Sequence, residues 1–421
     1  MRKTSHSILK RGAIDAFISR VAGAGILFLM HSVLARKLGA DTYGTFSFVL
    51  SLCWMLASLV TLGWPTAIMR FIPQYRSEKK FGLLRGALIQ AHQIIFITSL
   101  LSAVVLYCIS LLPLVSNKVS INLSYSALLL PAMALVLLRK KVFMGFRLVK
   151  SSIIPDEVIL PIIVISGVWI FSVSSAWGLI SIYFCASIIV ILASIYWFLQ
   201  CLPLNIRNAS PEYKTRYWMK VSLPMVLGGF SQIIMNRIDV FLLGFFLDMK
   251  FVGIYSLANR IALLNIFTMT AVNTIGAPML ASAFYSGSHE QFRSIMNKTR
   301  KWCILGSLPL FLFIFFYSKW ILSFFGSEFS QGTLILKILA TGQFINAMTG
   351  IVGSALVMTG RERIFFRITA LAALLNLIGS LIAISVWGAL GAAFVKAITI
   401  VAMNSVMLLI VYRIKQSNPS D

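Results

Sequence analysis

Long apolar stretches alternate along the chain with short charged ones. Runs long enough to cross a bilayer, which takes roughly 20 apolar residues, fall at 12–36, 43–71, 86–112, 119–138, 158–174 and 176–200. Six more follow at 221–246, 253–284, 303–325, 334–358, 365–386 and 389–412. The pattern predicts an all-α integral membrane protein of about twelve transmembrane helices. The first run is too long for a signal-peptide core and eleven others follow it, so it is read as a retained span. Six runs lie on each side of the hydrophilic stretch 201–220. The expected organisation is an N-terminal six-helix lobe (1–200), a cytoplasmic linker (201–220) and a C-terminal six-helix lobe (221–421). The outer loops are too short to hold a folded domain, which places the function inside the membrane.

The two halves share residues at a constant spacing. Leu38, Gly44, Phe46 and Ser47 recur as Leu247, Gly253, Tyr255 and Ser256 at an offset of 209, and Gly178 and Gly391 open equivalent sixth helices. Each half has an even number of spans, so both enter the membrane from the same side. That arrangement predicts two pseudo-symmetric lobes related by an axis along the membrane normal, around a central cavity.

Composition agrees with the pattern: 59% of the 421 residues are hydrophobic and 12% charged, and mean hydropathy is +0.89, outside the soluble range. The net charge of +25 suggests nucleic acid only until the cations are placed, because they follow the loops. With the N-terminus inside, 27 of the 37 lysines and arginines fall in inner loops and six in outer ones, so both termini are expected on the cytoplasmic side. No nucleic-acid partner is expected. Eight of the nine tryptophans lie near predicted helix ends, as the headgroup preference of indole requires, and Trp54 lies deep in a span. The five cysteines, Cys53, Cys108, Cys185, Cys201 and Cys303, have no paired spacing and read as packing residues.

Charge inside a bilayer is costly, so an ionisable residue there faces a partner or a watery path. Arg20, Arg237, Arg260, Lys396 and Asp239 qualify. Asp239 and Arg260 flank the turn near Met249 and Lys250 at equal distances, which predicts an ion pair between them, either as a packing pair or as part of a transport path. Arg237 lies two residues from Asp239, about 200° round the helix, and must find another partner. Gln232, Asn236 and Asp239 follow i, i+4, i+7 spacing as a polar stripe, available to a substrate or to a neighbouring helix. Arg20 is too deep for easy snorkelling, whereas Lys396 is close enough to the outer end to snorkel. His31 reads as a packing residue. Cations outnumber the one acid, which suits a pyrophosphate or acidic sugar better than a cationic cargo.

Several chemistries are excluded. There is no Gly-Lys pair and hence no phosphate-binding loop of the ATPase type, and the spans contain no HExxH, GxSxG or close acidic pair. No enzyme active site, no catalytic residue, no metal site and no cofactor is expected.

Leu34-Ala-Arg-Lys-Leu-Gly39 with Tyr43-Gly44, Leu62-Gly63 through Arg70-Phe-Ile-Pro-Gln-Tyr75, Arg237-Ile-Asp239 through Gly253-Ile-Tyr255-Ser256, and Asn376-Leu-Ile-Gly379 followed by Gly388-Ala-Leu-Gly391-Ala-Ala393 together resemble the polysaccharide-translocase family. This is the O-antigen flippase-like branch of the multidrug, oligosaccharidyl-lipid and polysaccharide exporter superfamily. The similarity runs almost end to end; the one departure is that Val386-Trp-Gly388 replaces a proline-containing turn before the last helix. The resemblance implies a transporter of the bacterial inner membrane that carries an anionic, polyprenyl-pyrophosphate-linked saccharide to the outer leaflet by alternating access. Membrane lipids, a polysaccharide polymerase and chain-length machinery are expected as partners, and a carboxylate that titrates would couple transport to H+ or Na+. Arg20 and Arg237 are expected to hold phosphate, Asp239 and Arg260 to set the electrostatics, and Gln232 and Asn236 to bond sugar hydroxyls, with Lys396 a further substrate-binding candidate. The rival readings are a gradient-driven multidrug exporter of the same superfamily, which would need more acids, and an integral-membrane polymerase, which would need larger loops.

Overall fold

The structure, a computed structural model, describes residues 2–113 and 116–413, with side chains from Ser19 onward other than Arg20 and Leu227. The chain is helical, and no strand occurs among the described residues. The first half contains α1 (Arg2–Val60), α2 (Trp64–Ser77), α3 (Phe81–Ser110), α4 (Asn117–Gly145), α5 (Val149–Ile154), α6 (Leu160–Ile170) and α7 (Ala176–Cys201), followed by the short α8 (Leu204–Arg207) and α9 (Thr215–Ser222). The second contains α10 (Met225–Phe246), α11 (Met249–Ala262), α12 (Ile266–Tyr285), α13 (His289–Ser323), α14 (Thr333–Thr349), α15 (Val352–Met358) and α16 (Glu362–Arg413). A π-helical turn, Pro155–Ile159, joins α5 to α6.

Among the described residues nine helices are long and apolar enough to cross a membrane, or ten if the bent pair Ser327–Thr349 and Val352–Met358 is one span. The protein is therefore a multi-pass membrane protein. Two of the nine are bent at glycines of positive φ: α1 at Gly39 (φ 78°) and α16 at Gly388 (φ 57°). These kinks fall between the first and second and between the eleventh and twelfth apolar runs. Gly388 thus makes the turn that lacks a proline, through a conformation open to glycine at little cost. The kink at Gly39 frees the Ala40 N–H from the helical ladder, and Glu328 Oε1 accepts it at 2.6 Å, which satisfies a donor that lipid cannot. The predicted run 43–71 is interrupted at 61–63, where Leu62 and Gly63 take positive φ and Pro65 opens α2.

The chain divides into two compact units: residues 1–38 with 45–237, and residues 39–44 with 238–421. In the first, α3 and α4 form the most extensive helix pair. The stretch expected as the inter-lobe linker is fastened onto α3: the Glu212 N–H donates to Gly82 O at 3.0 Å, Arg85 Nη1 to Ala209 O at 2.7 Å and Gln90 Nε2 to Thr215 Oγ1 at 2.6 Å. In the second unit, α14 packs against α13 and α16, and Leu280, Met296, Cys303, Val352, Leu356 and Met407 build a core cluster.

The tryptophans correct one expectation. Trp169, Trp177, Trp197 and Trp320 are exposed near helix ends, Trp302 is exposed within α13 and Trp387 beside the Gly388 kink of α16, but Trp64 and Trp218 are fully buried. Their rings meet edge to face at 6.1 Å, and Trp218 Nε1 donates to the Tyr75 hydroxyl at 2.8 Å. They pack α9 against α2 rather than anchoring headgroups, since a helix end buried by a neighbour offers indole a protein partner instead of an interface.

Candidate functional site

In the second unit Lys396 and Tyr255 converge on Asp239. The sequence places this carboxylate midway along an apolar helix, where it must be neutralised by a partner. It is fully buried in α10, and the buried Lys396 of α16 reaches it, Nζ to Oδ2, at 2.7 Å. The same oxygen accepts the Tyr255 hydroxyl from α11 in a short hydrogen bond. Asp239 Oδ1 accepts no hydrogen bond from the described residues. Three helices are thus tied at one carboxylate: a lysine supplies charge and a tyrosine supplies direction.

This arrangement corrects two expectations. Lys396 is 2% exposed and points to Asp239 instead of snorkelling to the membrane surface; the buried carboxylate offers the ammonium a partner in place of interfacial water. The α11 residue that meets Asp239 is Tyr255, where the sequence spacing had placed Arg260. The chain turns at Leu247 and Asp248, between α10 and α11, so the position level with Asp239 comes four residues earlier than a turn at Met249 and Lys250 would give, at Ser256 beside Tyr255. Arg260 and Arg237 are both half-buried, and each has interactions of its own. Gln232 and Asn236 are exposed on α10, where Asn236 Nδ2 donates to Gln232 O at 2.7 Å. The Arg20 side chain lies outside the described residues. His31 is buried with its ring 6.0 Å from that of Phe46, in keeping with packing.

A second charge cluster, in the first unit, was not recognised in the sequence. Arg139 of α4, 6% exposed, pairs with Asp156 in the π-helical turn and donates from Nη1 to Ser194 Oγ of α7 at 2.5 Å. The neighbouring Lys140 pairs with Glu157 at 2.8 Å. Two cations of one helix meet two acids of the next at the same separation of 17 positions. The extra residue of the π turn sets that register, and such turns recur at functional sites. Among the described residues, no group of three or more His, Cys, Asp or Glu side chains is placed to hold a metal ion.

The repeat reappears in these contacts. Phe46 corresponds to Tyr255 at the offset of 209 and Tyr183 to Lys396 at the offset of 213 that relates Gly178 to Gly391. Phe46 and Tyr183 pack edge to face at 5.3 Å in the first unit; Tyr255 and Lys396 meet through Asp239 in the second. Equivalent positions therefore carry an aromatic contact in one half and a charged one in the other.

Helical transport folds with paired charges inside their spans form a recognisable class, and comparison with known proteins gives the family. The polysaccharide biosynthesis protein profile matches residues 9–284, and the MatE profile matches residues 224–382. The chain belongs to the polysaccharide biosynthesis protein family. It is 25% identical over 410 residues to the probable low-salt glycan biosynthesis flippase Agl15 of Haloferax volcanii, covering 95% of this chain and 82% of that protein. Its fold matches the inward closed conformation of the lipid II flippase MurJ with a TM-score of 0.75 at 15% identity, covering 95% of this chain and 87% of that one. It also matches an inward-facing multidrug resistance MATE transporter with a TM-score of 0.72 at 13% identity, over 95% and 98% of the two chains.

Proposed function

We propose that the protein is a flippase that moves a lipid-linked anionic saccharide from the cytoplasmic to the outer leaflet of the plasma membrane, with both chain termini on the cytoplasmic side. The observation that carries this reading is the state of the acids: Asp156, Glu157 and Asp239 each sit against a lysine or arginine of the protein itself. A cationic drug needs a carboxylate to meet it, and these three are already occupied. An anionic headgroup needs arginine or lysine, which the spans supply in excess over acids. Family membership and end-to-end similarity to a protein named as a glycan biosynthesis flippase support the same choice over a multidrug exporter.

In this reading Arg237, with Arg20, holds the pyrophosphate, Gln232 and Asn236 of α10 bond sugar hydroxyls, and Arg260 adds to the positive field. Asp239, Lys396 and Tyr255 hold their three helices together while the carrier alternates its access. The lipid tail stays in hydrocarbon and the headgroup alone crosses. A proton or sodium gradient as driving force, and a polymerase acting on the delivered repeat, complete the scheme.

The test is lipid-linked oligosaccharide on the cytoplasmic leaflet of cells lacking the protein. It accumulates on deletion, wild type clears it, and Arg237→Ala, inserted in the membrane at normal level, does not. Full clearance by Arg237→Ala overturns the cationic site; no accumulation on deletion overturns the flippase.

A further inference from the structure

The second unit contains an open groove of about 550 Å³ that the charge cluster at Asp239 does not line. One wall is a single face of α14, from Leu334 through Lys337 and Thr341 to Ile345, and the other is α16 at Ile398 and Ala402; Phe315 of α13 also lines it. Apart from Lys337 and Thr341 the lining is apolar. Lys337 lies one turn from the start of α14 at Thr333, so the charge sits near one end of the groove. Its Nζ lies 5.2 Å from the centroid of the Phe315 ring, a cation–π contact that holds the ammonium at the lining. From Leu334 to Ile345 the helix rises about 17 Å, roughly half of a hydrocarbon core of about 30 Å. The groove is therefore one leaflet deep, with a cation near one end and apolar walls along its length.

We infer that this groove binds one acyl chain of an anionic phospholipid of the surrounding bilayer, with the lipid phosphate against Lys337. The walls match a hydrocarbon chain in polarity, the depth matches a chain confined to one leaflet, and the ammonium complements a phosphodiester without a compensating choline. A polyprenyl chain longer than one leaflet is too long for it, which sets this site apart from the cargo.

Native mass spectrometry of the full-length protein in detergent, titrated with phosphatidylglycerol or with phosphatidylcholine of identical chains, tests the assignment. One phosphatidylglycerol is expected to bind about fivefold more tightly than phosphatidylcholine, the increment of one lysine near a lipid phosphate. Lys337→Gln brings the two lipids to parity. Ala402→Trp, which fills the groove from an exposed position, lowers retention of both; neither change touches the packed core, and unchanged thermal melting verifies that. Equal retention of the two lipids by wild type, or unaltered retention by Ala402→Trp, overturns the site. Displacement of phosphatidylglycerol by an equal concentration of polyprenyl phosphate makes the cargo carrier the occupant and overturns the phospholipid.

Discussion

Asp239 is an acid whose cost in the membrane is offset only by its partners, so its neighbours decide what its loss does. Breaking a buried ion pair strands a charge and costs about 3–5 kcal/mol, whereas replacing both members by apolar groups of similar size is often neutral. Lys396→Met and Asp239→Leu are each expected to lower the thermal melting temperature in detergent by several degrees, and the double variant to recover most of the loss. Additive losses would show that the two side chains contribute independently and remove the pair as a structural unit. Tyr255→Phe, which deletes one hydrogen bond to the same oxygen, is the milder change. Asp239 and Lys396 were both legible in the sequence as charges where none belongs. Their pairing was not, because it joins α10 to α16 across 157 positions and spacing carries no information over that distance. Arg139 and Asp156 were missed for the opposite reason: both lie near the ends of apolar runs, where charge is unremarkable, and only the repeated separation of 17 hinted at a double pair.

At the scale of helices, close approach is bought with glycine. Gly44 and Gly253, related by the repeat, meet within the second unit. A Cβ on Gly44 would overlap the Met249 carbonyl and one on Gly253 the Ala40 carbonyl. Ala40 and Met249 are themselves related by the offset of 209, so each segment offers the other the same pair of positions, a local two-fold contact of small-residue type. Gly253→Ala drives a methyl group into backbone that cannot yield as a flexible side chain does, and is expected to cost about 1–3 kcal/mol. Gly229→Ala is the control: among the described residues nothing beyond its own helix backbone lies within 4 Å of its would-be Cβ, so it is expected to leave stability unchanged or slightly improved. Equal melting temperatures for the two variants would mean that the crossing tolerates separation. The repeat was legible as matched residues. That the matched residues touch each other was not, since an offset says which positions correspond and not which ones meet. Periodicity likewise gave the apolar runs but not the π turn at Pro155–Ile159, where one extra residue leaves hydrophobicity unchanged and moves the acids into register with Arg139 and Lys140.

For the whole molecule, orientation decides the direction of transport, and the cations are what set it. With the N-terminus assigned inside, 27 lysines and arginines are expected in inner loops against six in outer ones, a bias that insertion machinery reads before any tertiary contact exists, which is why a topology can be proposed from sequence. The boundary between the compact units is the least open to it: it falls at Arg237 and Ile238, inside the continuous helix α10, where neither hydropathy nor a turn residue marks a change of packing. Native cysteines report the orientation without added tags. Cys108 and Cys201 are exposed near the C-terminal ends of α3 and α7, while Cys53 and Cys303 are buried. With both termini cytoplasmic, α3 ends outside and α7 ends inside. In variants retaining one cysteine each, a membrane-impermeant maleimide is expected to label Cys108 in intact cells and Cys201 only after permeabilisation. Cys185, exposed midway along α7, is expected to resist in both conditions because a charged, membrane-impermeant reagent does not enter hydrocarbon. The reverse pattern for Cys108 and Cys201 would invert the topology, and a headgroup taken up from the cytoplasmic leaflet would then have to enter by the opposite face of the carrier.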